Sequence, residues 1–385
     1  MSGDSATPEV TPELRFLTRE FLTGHMTRRE WMGKMLMAGV SLAGLSYVLA
    51  ACGGAATSTS SSGTGGKGPT IGFVIPLISN PYWELMQNFA LECAKQFDIT
   101  LVTGQANSDD NTQLSIVQDF ISKKVDGMVI GAVDNTVGQP ILSAVTQANI
   151  PLTFMQRLPG VDPTNFSKKV FVGYVGTDDA DAGFASAQAL YNAGSRKWVG
   201  LTGAAGNSVA VVRLQGMQKF VQQHSDVTLL HVQYGNEARS SGQTTMEDYL
   251  SAYPGPSFDG VWSFNDEGAL GAIAALANAN VSKEKVVMID GTVDGCDAVQ
   301  GGSALATFGG GYACGTFALI ELYDSLHGKY PDNRNVNMPL IPVTQQTVTA
   351  YQEQVVNGAS SYNFKAASAV FTPGAGTKDY KIVLH

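Results

Sequence analysis

From Thr70 onward the chain alternates between two hydrophobic periods. Unbroken apolar runs at 70–76, 100–104, 128–130, 152–155 and 170–175 read as buried strands. Amphipathic stretches at 82–97, 111–124 and 139–147 lie between them and read as helices. In the first, Leu85, Met86, Phe89, Ala90, Cys93 and Phe97 fall on one stripe, which makes Cys93 a buried, inert thiol. The rhythm then restarts, with strands at 197–202, 228–234, 260–264, 286–289 and 304–308. Helices are expected at 210–224, 243–253, 269–276, from Gly295, and at 313–326. Continuous apolar strands between amphipathic helices predict parallel sheets covered on both faces. Two such runs in succession predict an α/β protein of two doubly wound parallel-sheet lobes.

The first 68 residues follow neither period. Arg28 and Arg29 precede an uncharged, mostly apolar run from Met35 to Ala51, the layout of an export signal with a twin-arginine flavour. The alternative is a permanent membrane anchor, since the run is near the lower spanning limit. The run ends in Leu49-Ala50-Ala51-Cys52, and residues 53–68 are nearly all Gly, Ser, Thr and Ala, a flexible tether. Residues 1–51 are therefore expected as the signal and 52–68 as the tether. The stretch before Met26 is long for a signal, so either Met1 or Met26 can be the start.

Composition removes several classes of function. The chain has 385 residues and a net charge of −9, which leaves no electrostatic footprint for nucleic acid. Five scattered His and four Cys show no metal-ligand spacing and no disulfide scaffold, so no metal and no cofactor are expected. Cys296 and Cys314 are expected as free thiols. Lys67 lacks the spacing of a phosphate loop, and no nucleophile motif is present. An enzyme is not expected.

The candidate chemistry sits where strands give way to helices, the edge at which open α/β sheets bind ligands. Asn80-Pro81-Tyr82-Trp83 follows the first strand and offers an amide and two rings suited to a sugar's apolar face. At least one of the two rings is expected to pack under the helix instead. Gln156-Arg157 follows the strand at 152–155, and Asn207 and Arg213 flank a helix start. Asn265-Asp266-Glu267 breaks an apolar run, with Asp266 read as the helix N-cap. Asn265 is read either as a turn residue or as a ligand contact, its planar amide suiting neighbouring hydroxyls. Asp290-Gly291-Thr292 ends another strand and places a carboxylate where vicinal hydroxyls can donate to it.

These segments resemble the ribose-type sugar-binding proteins that serve ABC importers. The resemblance runs from Pro69 to about Val343 through Asn80–Trp83, Arg157, the segment 203–208 with Arg213 and Gly216, the Asn265-Asp266-Glu267-x-Ala-Leu-Gly-Ala signature, and Asp290-Gly291-Thr292. It implies that Asn80, Tyr82, Trp83, Arg157, Arg213, Asn265 and Asp290 contact the ligand. Gln156 replaces the family's Asp. Gly131 stands where an Asn is expected, with Asp134 nearby. Glu237 stands where a stacking Phe is expected, and Gly310 replaces a hinge Gln. Leu49–Cys52 resembles a lipoprotein lipobox, which implies acylation of Cys52.

The resemblance further implies crossings between lobes near Thr177, Gly310 and Thr344. One lobe would then comprise 69–177 and 311–344, the other 178–310 and 345–385, joined by a three-strand hinge around a ligand cleft. The implied protein is a monomer, lipid-anchored on the outer face of the cytoplasmic membrane. It captures a monosaccharide or similar polyol by lobe closure and delivers it to an ABC permease. The other reading is a receptor that reports the same ligand to a membrane sensor. A neutral sugar or cyclic polyol is expected first, and an amino sugar paired with Glu237 second.

Overall fold

The computed structural model describes residues 68–384 except 158, 255 and 256. The expectations for the twin arginine, Met26, Cys52 and the tether to 67 lie outside the described residues.

The first half of the described chain runs β1 (Thr70–Ile75), α1 (Pro81–Gln96), β2 (Thr100–Gln105), α2 (Asp110–Ser122), β3 (Gly127–Ile130), α3 (Gly138–Ala148), β4 (Leu152–Met155) and β5 (Phe171–Thr177). The second continues with α4 (Asp179–Asn192), β6 (Lys197–Leu201), α5 (Ser208–Gln223), β7 (Thr228–Gln233), α6 (Arg239–Ala252), β8 (Gly260–Ser263), α7 (Asp266–Asn278), β9 (Lys285–Asp290), α8 (Val293–Gln300) and β10 (Ala306–Gly309). The chain closes with α9 (Cys314–Leu326), β11 (Asn335–Met338), β12 (Ile341–Val343) and α10 (Val348–Tyr351), followed by single helical turns.

Two six-stranded sheets result. The first has the order β11-β5-β4-β3-β1-β2 and the second β12-β10-β9-β8-β6-β7. The first is parallel throughout. The second is parallel except for its edge strand β12, which pairs antiparallel with β10. That exception follows from connectivity. β12 leaves the carboxyl edge of the first sheet across two residues and enters the second sheet at its own carboxyl edge, so it must run the other way.

The chain changes lobe between Thr177 and Asp179, between Gly309 and Cys314, and between Met338 and Ile341. The last passage lies ahead of the expected Thr344. At the second, Gly310 has φ +86 and donates its N–H to Tyr351 Oη at 2.6 Å. A side chain in that left-handed conformation would be strained, so the Gln of the family pattern does not suit this backbone.

The tail corrects a further expectation. Residues 345–385 were placed with the second lobe, but only the start of the tail stays there, where Gln352 bonds Asp297 on α8. The chain then crosses a fourth time and packs on the first lobe. Phe364 packs against Phe89, Phe371 against Phe97, and Tyr380 stacks on Phe317 at 4.9 Å. Ser368 and the Ala369 N–H both donate to Asp324. The cause lies in α9, which is buried on every side from Cys314 to Ser325. A helix buried all round needs a second cover besides the sheet, and the aromatic tail provides it.

Among the described residues no helix is long and apolar enough to cross a membrane. Cys93, Cys296 and Cys314 are buried, unpaired thiols.

Candidate ligand site

The carboxyl ends of both sheets face one narrow cavity. Asn80, Tyr82, Trp83, Gln156 and Arg157 line it from the first lobe; Asn207, Arg213, Glu237, Asn265 and Asp290 line it from the second. Strand runs that end at a polar junction account for this. Each run stops at the cleft edge, and after β1, β6, β8 and β9 the following residues cap a helix whose N-terminus points the same way, while Gln156 and Arg157 sit in the loop after β4.

On the first wall, Asn80 caps α1 by accepting the Tyr82 N–H at 3.0 Å. Tyr82 and Trp83 meet edge to face at 5.6 Å, and both are buried. The Tyr82 hydroxyl donates to Gln156 Oε1 at 2.6 Å, so Tyr82 is the ring that packs inward. Gln156 lines the cavity, yet its amide is engaged within the wall. Its Oε1 also accepts from the Cys314 thiol at 3.1 Å, and its Nε2 donates to Thr177 Oγ1 at 3.2 Å. Arg157 lies over the Trp83 ring at 5.5 Å and donates to the Val133 carbonyl. The Trp83 indole explains Gly131, where a Cβ would stand only 3.0 Å from that ring. Asp134 does not reach the lining. It accepts from the Thr136 N–H and hydroxyl, both at 2.7 Å, and closes a local turn.

On the second wall, Arg213 is 2 % exposed and is held on three sides. Its Nε donates to Asp179 at 2.8 Å, and its Nη1 donates to the Phe264 carbonyl at 2.6 Å and to Asp290 at 3.0 Å. Burial raises both the Asp179 and Asp290 carboxyls, Asp290 to about 8, and the guanidinium opposes the shift without cancelling it. The two carboxylates outweigh the burial of Arg213 and hold it above the usual guanidinium range. Asn265, not Asp266, is the N-cap of α7. Its Oδ1 accepts the Gly268 N–H at 2.9 Å, and its Nδ2 donates to the Glu237 carbonyl at 3.2 Å. Asn265 therefore caps the helix, as the turn reading expects, and it also lines the cavity. The Glu237 carboxylate accepts the Ala204 N–H.

Sequence reasoning missed Asp179, the second carboxylate on Arg213. It stands 34 residues away in sequence, and only the acidic pair Asp178-Asp179 at a helix start hinted at it. The walls approach closely. The space between them is about 50 Å³, well below the roughly 300–1,000 Å³ of typical small-ligand pockets. A ring-sized molecule can enter only as the lobes part. A larger groove of about 740 Å³ lies at the opposite, amino ends of the second lobe's strands. Its ionisable residues, Glu284 and Lys285, are not buried, so it lacks the converging polar side chains of the cleft.

Residues 71–312 match the family model described as a periplasmic binding protein domain. The chain belongs to that family. It is 30% identical over 240 residues to the ribose import binding protein of Escherichia coli K12, across 62% of this chain and 78% of that one. It is 30% identical over 216 residues to a xylitol-binding protein of Mycolicibacterium smegmatis, across 56% of this chain and 60% of the relative. Among solved structures, the binding component of an arabinose ABC transporter from Shewanella sp. ANA-3, bound to L-arabinofuranose, superposes with a TM-score of 0.69. It is 26% identical, over 76% of this chain and 99% of that one. The two-lobed architecture derived from the strand pattern is that of this periplasmic binding protein.

Proposed function

We propose that the protein is an extracytoplasmic solute-binding protein. It captures a neutral monosaccharide or cyclic polyol by closing its two lobes, and passes it to an ABC permease. The observation that carries this reading is the cavity where the carboxyl ends of both sheets meet, with two guanidiniums, two carboxylates and three cap amides around a buried aromatic pair. A hydroxyl both donates and accepts, so it suits walls of mixed character. An anionic ligand would face Asp290 and Glu237. A hydrophobic one would leave several buried polar groups unpaired, at about 1–3 kcal/mol each. An amino sugar is the second ligand class, through Glu237. Closure is favoured because only the closed form makes contacts from both walls. The relatives named as import binding proteins support delivery over sensing, and the reading is of a binding protein, not an enzyme.

The ligand contacts in this reading are Asn80, Trp83, Arg157, Arg213, Glu237, Asn265 and Asp290, with Tyr82 and Gln156 shaping the wall. Asp290→Ala and Asn265→Ala should each weaken sugar binding by about 2 kcal/mol, roughly 30-fold, since each leaves hydroxyls unpaired on closure. Calorimetry on the two variants checks this, and unchanged affinity in both would overturn the assignment.

The N-terminal segment is part of the same proposal, with Cys52 as the acylated residue that anchors a monomer to the outer face of the cytoplasmic membrane. Cys52→Ser should abolish labelling by radioactive fatty acid and release the protein from the membrane fraction. Labelling equal to the parent would refute the anchor.

A further inference from the structure

Asp266 is fully buried beside the cleft but does not line it. Its place at the start of α7 reads as a cap in the sequence; instead its side chain turns away, toward Thr292 beyond β9 and Thr307 within β10. Oδ2 accepts both the Thr292 N–H and the Thr292 hydroxyl at 2.8 Å, and Oδ1 accepts the Thr307 hydroxyl at 2.6 Å. Each hydroxyl is itself an acceptor from backbone: Thr292 Oγ1 takes the Gly295 N–H at 3.2 Å, and Thr307 Oγ1 takes the Gly291 N–H at 3.0 Å. Both hydroxyls therefore have their protons directed at Asp266. Three donors converge there, and only an acceptor-only group satisfies all three.

We infer that Asp266 is a positioning residue for ligand capture, holding the corner at 290–292 so that Asp290 meets the ligand in the right place. The inference rests on Asp290 being a ligand contact. The corner needs an external hold. Gly291 takes φ +67, and a Cβ there would stand 2.5 Å from Gly309 Cα, so the central residue of the turn has no side chain to anchor it. Gly295 likewise has no room, since a Cβ would stand 2.1 Å from Asp266 Oδ2. The carboxylate thus ties the carboxyl ends of β8 and β9 to Thr307 within β10, with Asp290 at the end of β9 facing Arg213. Burial raises the Asp266 carboxyl above its ordinary range, and the Thr307 and Thr292 donors oppose that shift.

The test is a double-mutant cycle by calorimetry on the whole chain. The probe is whichever of D-ribose, L-arabinose, xylitol and myo-inositol the parent binds most tightly. Asp266→Asn puts an amide donor against a hydroxyl that must also donate, and should raise Kd by about 10- to 100-fold. In an Asp290→Ala background the same change should alter Kd by less than about 3-fold, because the group it positions is gone. If Asp266→Asn does not fold, Thr307→Val and Thr307→Ser replace it. The Val variant removes one tie and should weaken binding about 10-fold, while the Ser variant keeps the hydroxyl and should retain parental affinity. A merely structural role would lower the melting temperature equally in both backgrounds and shift Kd independently of Asp290, and additive losses would overturn the inference alone. Unchanged affinity in Asp290→Ala itself, or a parent that binds none of the four probes, would remove the reading beneath it and the inference with it.

Discussion

Arg213→Met melts on the order of 10 °C below the parent near pH 9.5, above the value of about 8 at which Asp290 titrates in the parent, and recovers much of that loss near pH 5. The substitution keeps bulk but removes the cation between Asp179 and Asp290, whose oxygens stand 2.8 and 3.0 Å from it. Removing one partner of a buried ion pair costs about 3–5 kcal/mol, because it leaves uncompensated charge in a site of low polarity. The pH dependence follows from the sign of the shifts. Burial already pushes both carboxyls up, and Arg213 is what pulls them down. Without it their folded pKa values rise further above the unfolded ones. Their protonated forms then stabilise the fold fully below the unfolded pKa, and that stability is lost as pH rises through the raised values. Ligand affinity should fall in the same variant, since Asp290 loses the group that orients it. Thermal melts at the two pH values check the claim, and a pH-independent loss would show that the guanidinium acts only by packing.

The second large effect lies far from the cleft. Glu321 on α9 is 1 % exposed and neither carboxylate oxygen has a hydrogen-bond partner. It lies against Gly173 of β5, where a Cβ would stand 2.2 Å from its Oε1, so the sheet makes room for it but supplies no donor. Burial pushes its carboxyl up to about 8, against the pull of Arg334 and with a small push from Asp324. A carboxyl raised this far stabilises the fold below its unfolded pKa of about 4.3, and that contribution is lost as pH climbs through about 8. The change is on the order of several kcal/mol. Glu321→Gln should therefore match the parent near pH 5 and melt well above it near pH 8.5, because the amide cannot ionise. A variant no more stable than the parent at the higher pH would show that Glu321 is solvated.

Where burial is periodic, the sequence was readable. The strands at 70–75, 128–130, 152–155 and 260–263 appear as apolar runs because both faces of each parallel sheet are covered. The breaks in those runs at Asn80, Gln156, Asn265 and Asp290 mark the cleft edge. The helix Asp179–Asn192 was not read, because its buried stripe is small: Ala182, Gly183, Ser186 and Ala187. Those residues are small because two backbones meet there; a Cβ on Gly183 would stand 1.9 Å from the Arg213 carbonyl. The tail was misplaced because single helical turns carry no period, and Phe364, Phe371 and Tyr380 anchor it at irregular intervals. Side-chain roles were hardest to read. Gln156 and Asp266 look like ligand and cap residues in sequence, and only their partners across the fold show one bracing the wall and the other the corner beside Asp290.

Capture of a neutral polyhydroxylated ring between the lobes is tested most directly by calorimetry on the whole protein. The panel sets neutral monosaccharides and cyclic polyols against glucuronate, glucosamine, amino acids and a fatty acid. The account predicts that a neutral sugar or polyol binds most tightly, with one site per chain and a dissociation constant of about 10 μM or below, worth about 7 kcal/mol. Tight binding of the amino acid or fatty acid, with no heat from any neutral sugar or polyol, would contradict it.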